Sequence, residues 1–497
     1  MLELLWHSYR YYPYELDLAR REVSTLLPTA MAAETESGIR LHGGVDRRIA
    51  ERLVYFASMS DGEKSIPTIQ AKLERVNGNG GNRQSTRYSA HGLHEYKGKF
   101  NPQVARAILN ILDIPTGAWV IDPFCGSGTS LLECVHLGVH AVGTDINPFA
   151  VFIANAKLTA VHLPAAKLRD EMQAVLKRYK TTKPPSISGD SARRDYLLAW
   201  FDTDVFNSIE RLRAAIERGE TACSGPLLAI ASNLLRDYSL QDPNDLRIRR
   251  RKTPLPDKPF LAAFEDAALQ FLAKLGDAQS VLRQPPSNSK ALLLDSRDLR
   301  TEHLAAGAGQ FDCALTSPPY ATALPYIDTQ RLSLVWLALI SPSEIHPLEA
   351  RLVGSREVRG ESKRALLASL QSNGAGLPAR QAKYCKALRA ALTEADGFRR
   401  QAVPLLLYRY FAGMAQVFRA LRPLMKDRAP FALIVGSNHT VLSGHRFDIN
   451  TPKHLAEIAA DCGWQHLETV PLQTYQRYGY HMSNAVNAEG LVILRAA

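Results

Sequence analysis

Ala118-Trp119-Val120-Ile121-Asp122-Pro123-Phe124-Cys125-Gly126-Ser127-Gly128-Thr129 is the stretch on which the fold turns. Its first four residues are apolar and read as a short buried strand. A proline and two glycines then turn the chain, and residues 129–137 carry apolar side chains at helical spacing. Residues 140–143 repeat the strand pattern and run into Asp145. Strand, turn, helix, strand predicts a parallel crossover, with a ligand site at the carboxyl ends of the strands. Gly126 and Gly128 let the backbone turn tightly and approach a ligand. Asp145 follows about 20 residues on, where a carboxylate accepts hydrogen bonds from ribose hydroxyls. Position 131 is Leu131, so the third glycine of a dinucleotide fingerprint is missing, and no Gly-Lys-Ser/Thr makes a phosphate loop.

Outward from this unit the pattern divides the chain. Residues 1–85 read as a helical N-terminal module, with helices over 16–27 and 46–59 and a glycine- and asparagine-rich linker at 77–82. Residues 86–160 hold the cofactor loop. Residues 161–285 are a helical insertion, and 286–340 resume the α/β pattern with strands at 291–294 and 311–315. Residues 341–405 form a second, basic helical insertion. Residues 406–497 close the sheet, with helices at 408–421 and 452–462 and strands at 430–436 and 491–494.

Composition bounds the class. The chain has 497 residues, of which 46% are hydrophobic and 22% charged, as in an ordinary globular protein. Its longest apolar run of interest, 334–340, is too short to span a membrane, and residues 1–4 lack the basic region of a leader. Six scattered cysteines, none in a CxxC pair, predict reduced thiols in a cytoplasmic protein, with neither a disulfide framework nor a metal site. The net charge of +11 suits a polyanionic partner.

A second motif, Thr316-Ser317-Pro318-Pro319-Tyr320, follows the predicted strand 311–315, and its two prolines stiffen the backbone beyond the strand end. The segments DPFCGSGT at 122–129, GTDINP at 143–148 and SPPY at 317–320 together resemble the amino-methyltransferases of DNA, the N4-cytosine and N6-adenine enzymes. HEYKGKFNP at 94–102 is similar to the segment that precedes the cofactor motif in that family, and LDSRD at 294–298 to its third motif. The resemblance implies a Rossmann-like class I methyltransferase sheet of α/β class, binding S-adenosylmethionine. It implies that Phe124, Cys125, Gly126 and Gly128 wrap the methionine part, with Asp122, Thr129 and Ile146 completing the contacts. Asp145 would hold the ribose, Asp295 the adenine amino group, and Lys99 or Lys97 the methionine carboxylate.

The catalytic residues implied are Ser317, Pro318, Pro319 and Tyr320. An exocyclic amino nitrogen is a poor nucleophile because its lone pair is delocalised into the ring. Acceptors for its N–H bonds pull it towards a tetrahedral shape, and Ser317 Oγ and the Pro318 carbonyl are suitable. Tyr320 offers a face on which a flipped base stacks. Serine in the first position resembles the N4-cytosine branch, whereas aspartate or asparagine is usual in N6-adenine enzymes. A C5-cytosine enzyme is disfavoured, because its nucleophilic cysteine usually follows a proline and no Pro-Cys pair occurs. An N6-adenine enzyme, an N2-guanine RNA methyltransferase and a non-catalytic binding subunit share enough motifs to remain alternatives. Double-stranded DNA is the expected partner, with a restriction or defence system behind it. Arg247, Arg249, Arg250 and Arg251 in the first insertion, and Arg356 and Arg359 in the second, are the candidates to contact it.

Overall fold

A computed structural model describes all residues except 76–83, 184–190, 246–247, 284–285, 287, 304–308, 322–326, 359 and 474–487. The N-terminal module departs from the helical expectation. Its helix Pro13–Leu26 packs with a five-stranded sheet of β1 (Leu2–Trp6), β2 (Met31–Thr35), β3 (Gly38–His42), β4 (Phe56–Ser60) and β5 (Ser65–Pro67), in the order β2-β3-β1-β4-β5. The helix expected over 46–59 shrinks to Arg47–Ala50, capped by the Asp46 carboxylate, which accepts from Arg48 N at 2.8 Å. The aromatic and apolar residues beyond it suit a half-buried pleat better, and they pair antiparallel with β1. The expected linker at 77–82 lies outside the described residues.

The larger sheet has seven strands: β6 (Trp119–Asp122), β7 (His140–Asp145), β8 (Lys290–Leu293), β9 (Cys313–Thr316), β10 (Pro430–Gly436), β13 (Trp464–Gln473) and β14 (Ala488–Ala496). Their order is β13-β14-β10-β9-β6-β7-β8. The pairs from β10 to β8 are parallel, while β14 runs antiparallel to both neighbours and is the one reversed strand. A small hairpin, β11 (Asn438–Leu442) with β12 (His445–Ile449), stands beside it. The chain leaves β6 towards β7 on one side and returns to β9 on the other. The crevice between β6 and β9 is therefore the switch point at which such sheets bind ligands.

Alternate residues along the strands enter two separate cores. Val120, Ala141, Ala432, Ile434, Leu491 and Ile493 face one; Ile121, Val142, Leu433, Val435, Val492 and Leu494 face the other. Burial on both faces explains why these strands read as continuous apolar runs. The first core contains the N-terminal module, the helices Pro102–Ile111, Thr129–His136 and Pro148–His162, and the first insertion. The second contains Phe398–Leu421, Thr451–Ala460 and the second insertion. The two insertions thus cover opposite faces of the sheet.

The first insertion is bolted to the segment after the catalytic loop. Arg193 forms a buried, bidentate pair with Glu210 at 2.7 and 2.9 Å, and donates to the carbonyls of Val335 and Trp336 at 3.0 and 2.7 Å. Arg193→Ala would leave Glu210 charged and unpaired in the core. The expected loss is about 3–5 kcal/mol in urea unfolding; a loss below about 1 kcal/mol would contradict this anchoring role.

Candidate active site

The turn after β6 has the geometry its glycines predict. Gly126 and Gly128 take φ of +49° and +77°, values that side-chain-bearing residues rarely adopt. A Cβ on Gly128 would sit 2.9 Å from Ala154 Cβ, so helix Pro148–His162 requires glycine there. Cys125 N donates to Thr144 O at 3.0 Å and Gly126 N to Asp145 Oδ2 at 3.0 Å, which ties the loop to the end of β7. Asp145 also accepts from Asn147 N at 2.8 Å, and burial pushes its carboxyl up to about 6. The Cys125 thiol is buried and pushed upward by that burial, which removes it as a nucleophile.

Asp122 does more than the sequence promised. It is 1% exposed, and its carboxylate accepts from Phe124 N at 3.0 Å, from the Ser130 hydroxyl and from Thr316 Oγ1 at 2.6 Å. One side chain thereby joins the cofactor loop, the helix behind it and the last residue of β9. Thr129 is buried at the start of that helix. A second tie comes from Ser296, whose hydroxyl lies 2.8 Å from Thr144 Oγ1 and donates to Pro123 O.

The segment before the motif folds over the loop. A Cβ on Gly126 would lie 3.5 Å from the Tyr96 ring. Buried Glu133 anchors this segment: its carboxylate accepts from Arg106 Nε at 2.6 Å and Tyr88 OH at 2.8 Å, and lies 2.6 Å from His91 Nε2. Of the two lysines considered, Lys97 pairs with Glu95 at 2.7 Å. Lys99 turns inward and donates to Thr86 O at 2.9 Å, and burial lowers its ammonium to about 8.

Ser317 follows Thr316 directly. Its hydroxyl donates to Ile434 O at 3.2 Å, so the proton points back to β10 and the oxygen lone pairs point elsewhere. Pro318 is buried, while Pro319 and Tyr320 are half-buried. The Tyr320 hydroxyl donates to Glu489 on β14, a residue that sequence reasoning placed only in a distal strand. The second insertion buttresses the same loop: a Cβ on Gly354 would meet Tyr320 O at 2.8 Å and Pro319 Cβ at 3.5 Å.

Several expected contacts are already engaged. Asp295 pairs with Arg297 at 2.5 and 2.9 Å and caps the turn Ser296–Asp298, so its carboxylate is not open to a ligand as it stands. Ile146 is half-buried beside Asp145. Arg251 donates to the carbonyls of Asp237 and Ser239 at 2.6 and 2.9 Å, which makes it a loop brace. Exposed Arg249 pairs with Asp245 at 3.0 Å. Arg250 lies over the Trp200 ring at 4.5 Å, and Arg331, from the helix Arg331–Trp336 after the catalytic loop, lies at 4.1 Å from the same ring. Arg331 Nε and Nη2 are buried without hydrogen-bond partners among the described residues. Arg356 is exposed; Arg247 and Arg359 lie outside the described residues.

Residues 53–156 match the family model described as DNA methylase. The Type II methyltransferase M.MvaI of Kocuria varians is 25% identical over 301 residues, 55% of this chain and 63% of that protein. Over these residues the chain is similar to the DNA amino-methyltransferases. The Type II methyltransferase M.MjaII of Methanocaldococcus jannaschii is 47% identical over 72 residues, 14% of this chain and 13% of that protein. A tRNA (guanine(10)-N2)-dimethyltransferase of Methanothermobacter thermautotrophicus is 40% identical over 52 residues, 10% of this chain and 16% of that protein. The matches therefore span less than two thirds of each relative. Among solved structures, TrmN from Thermus thermophilus aligns over 100% of this chain and 99% of its own, with 11% identity and a TM-score of 0.35.

The cofactor that this similarity implies is S-adenosylmethionine, and the residues present fit it. The glycine turn leaves a cradle that a Cβ at Gly126 would begin to fill against Tyr96. Asp145 offers an acceptor at the adjoining strand end, and Lys99 is an inward cation near the loop. Among the described residues, no single helix is long and apolar enough to cross a membrane.

The Asp122 clamp has a pH signature. Burial raises the folded carboxyl from 3.8 to about 6, against the pull of its three hydrogen bonds. The folded chain therefore holds this proton more tightly than the unfolded chain. The stability it contributes is complete below 3.8 and lost as pH rises through about 6. Asp122→Asn should remove that slope, so the variant loses less stability than wild type between pH 4 and 6. The expected difference is about 3 kcal/mol over the window, at about 1.4 kcal/mol per pH unit. Urea unfolding across that range checks it; parallel curves would show that Asp122 is ionised throughout.

Proposed function

We propose that this protein transfers a methyl group from S-adenosylmethionine to N4 of cytosine in double-stranded DNA, acting on a base flipped out of the helix. The observation that carries this reading is Ser317 at the sheet switch point, its proton committed to Ile434 O and its lone pairs left to accept an amino N–H. Bound S-adenosylmethionine supplies an electrophilic methyl group on a sulfonium. The protein's part is positioning. Ser317 Oγ and the Pro318 carbonyl accept the two N–H bonds and localise the nitrogen lone pair. Tyr320, its hydroxyl held by Glu489, offers its ring for stacking. Asp122 fixes the distance between the two loops, because Thr316 and the cofactor turn share its carboxylate.

A neutral serine acceptor favours cytosine in this reading, and the similarity to DNA methylases supports DNA as the substrate. The short match to tRNA guanine methyltransferases keeps an RNA substrate as the second reading. The Type II relatives also support a restriction or defence setting, and six buried thiols support a reducing cytoplasm. On the nucleic-acid side we assign the Arg250–Trp200–Arg331 stack. It joins the first insertion to the helix Arg331–Trp336, and its exposed member, Arg250, is the guanidinium open to a phosphate.

Mass spectrometry of nucleosides from DNA and RNA incubated with isotopically labelled S-adenosylmethionine tests the substrate. Labelled N4-methylcytosine in DNA is expected; label only in N6-methyladenine or in RNA would overturn the base assignment. In the same assay Ser317→Ala and Tyr320→Ala should lower turnover at least about 100-fold, in the range of lost positioning and electrostatic contacts, while cofactor affinity holds. Tyr320→Phe keeps the ring and should fall less than Tyr320→Ala; equal losses would assign the role to the hydroxyl. Arg250→Gln should weaken DNA binding and reduce the slope of log K against log salt by roughly 1, whereas an unchanged slope would place phosphate contacts elsewhere.

A further inference from the structure

Helix Pro148–His162 carries a lysine in the protein interior. Lys157 is 0% exposed and its Nζ donates to Ser127 Oγ at 3.1 Å, inside the cofactor loop. A buried ammonium is costly unless a counter-charge meets it. Among the described residues no carboxylate pairs with Lys157, and the charge that acts on it is another cation, Lys99. Lys99 itself is held by two backbone carbonyls, at 2.9 and 3.4 Å, and likewise has no carboxylate within ion-pair distance among the described residues. Lys157 thus carries a buried cation into the loop with no carboxylate paired to it among the described residues, while Lys99, which acts on it, is held by the segment before the loop and feels Glu133 and Glu95. Lys97, by contrast, is neutralised by Glu95 at 2.7 Å.

The loop that Lys157 enters is the one whose glycine turn would receive the amino-acid end of the cofactor, and that end bears the cofactor's one carboxylate. We propose that Lys157, with Ser127, completes the site for the methionine carboxylate of S-adenosylmethionine; this rests on the cofactor reading above. Ser127 accepts from the lysine, which leaves its own O–H to donate to the carboxylate. Lys157 is then the counter-charge behind that donor, and Lys99 is the second cation of the site. A charge-assisted chain of this kind acts on the cofactor's carboxylate and not on its ribose or adenine.

Equilibrium binding of S-adenosylmethionine and of decarboxylated S-adenosylmethionine, which keeps the amine, ribose and adenine, separates this role from a structural one. Wild type should prefer the carboxylate-bearing ligand by at least about tenfold. Lys157→Met, which keeps the length and removes the charge, should weaken S-adenosylmethionine at least about tenfold. It should change the decarboxylated ligand less than about threefold, which collapses the preference. Ser127→Ala should move in the same direction by a smaller factor, and it serves alone if Lys157→Met does not fold. Equal weakening of both ligands, or of neither, would overturn the proposal. Failure of wild type to bind either ligand would instead overturn the cofactor reading, and this assignment with it.

Discussion

The architecture of the site depends on a carboxylate sealed at the end of the central strand. Asp122 sits where β6 stops, and its two oxygens take hydrogen bonds from the turn that follows, from the helix behind the turn and from the neighbouring strand β9. Methyl transfer needs the donor and the acceptor held in line at close range, and errors of an ångström are expensive. A sheet alone fixes β6 against β9 through only two paired positions, Val120 with Cys313 and Ile121 with Ala314. Beyond the last pair the two chains diverge into loops, and Asp122 carries the registration past that point. Its three donors offset part of the cost of burying a charge, and the raised titration is the remainder of that cost.

The insertions extend the same logic outward. Each covers a different face of the sheet, yet both return to the catalytic segment. The first does so through Arg193, which reaches the carbonyls of Val335 and Trp336, and through Trp200, held between Arg250 and Arg331. The second does so through the left-handed turn at Gly354, packed on the Tyr320 carbonyl. The second insertion therefore packs on the SPPY loop, and the first holds the helix Arg331–Trp336.

Much of this was legible in the sequence, and the boundary is physical. Continuous apolar runs such as 430–436 mark strands buried on both faces, and β10 spans those same residues. The glycine turn, Asp145 and the proline-stiffened loop were readable because their chemistry is local. What escaped is long-range or half-exposed. Strand β13 carries mostly exposed or half-buried side chains and a register shift between His466 and Glu468, so it has no clean alternation. The N-terminal sheet was hidden because 46–59 begins with a good helix cap and only pairing with β1 draws its second half into a strand. Glu489 meets Tyr320 across 169 positions, and Thr316 meets Asp122 across 194. No spacing rule reaches that far. The arginines show the converse limit: composition marks a basic run, but only the fold separates a brace such as Arg251 from a surface cation such as Arg250.

The charge distribution around the crevice is also asymmetric in a way that suits the chemistry. On the cofactor side, cations turn inward at Lys99 and Lys157, and carboxylates sit at Asp122 and Asp145. On the SPPY side, the Ser317 hydroxyl, the Pro318 carbonyl and the Tyr320 ring are uncharged, and the carboxylate of Glu489 accepts from the Tyr320 hydroxyl. A fixed carboxylate facing the amine would hold its proton by ion pairing once the nitrogen became cationic. In the proposed reaction a hydroxyl whose own proton is committed to Ile434 O accepts the N–H without that trap. The separation of charge from the amino nitrogen in that reaction follows from where β9 and β10 place Ser317.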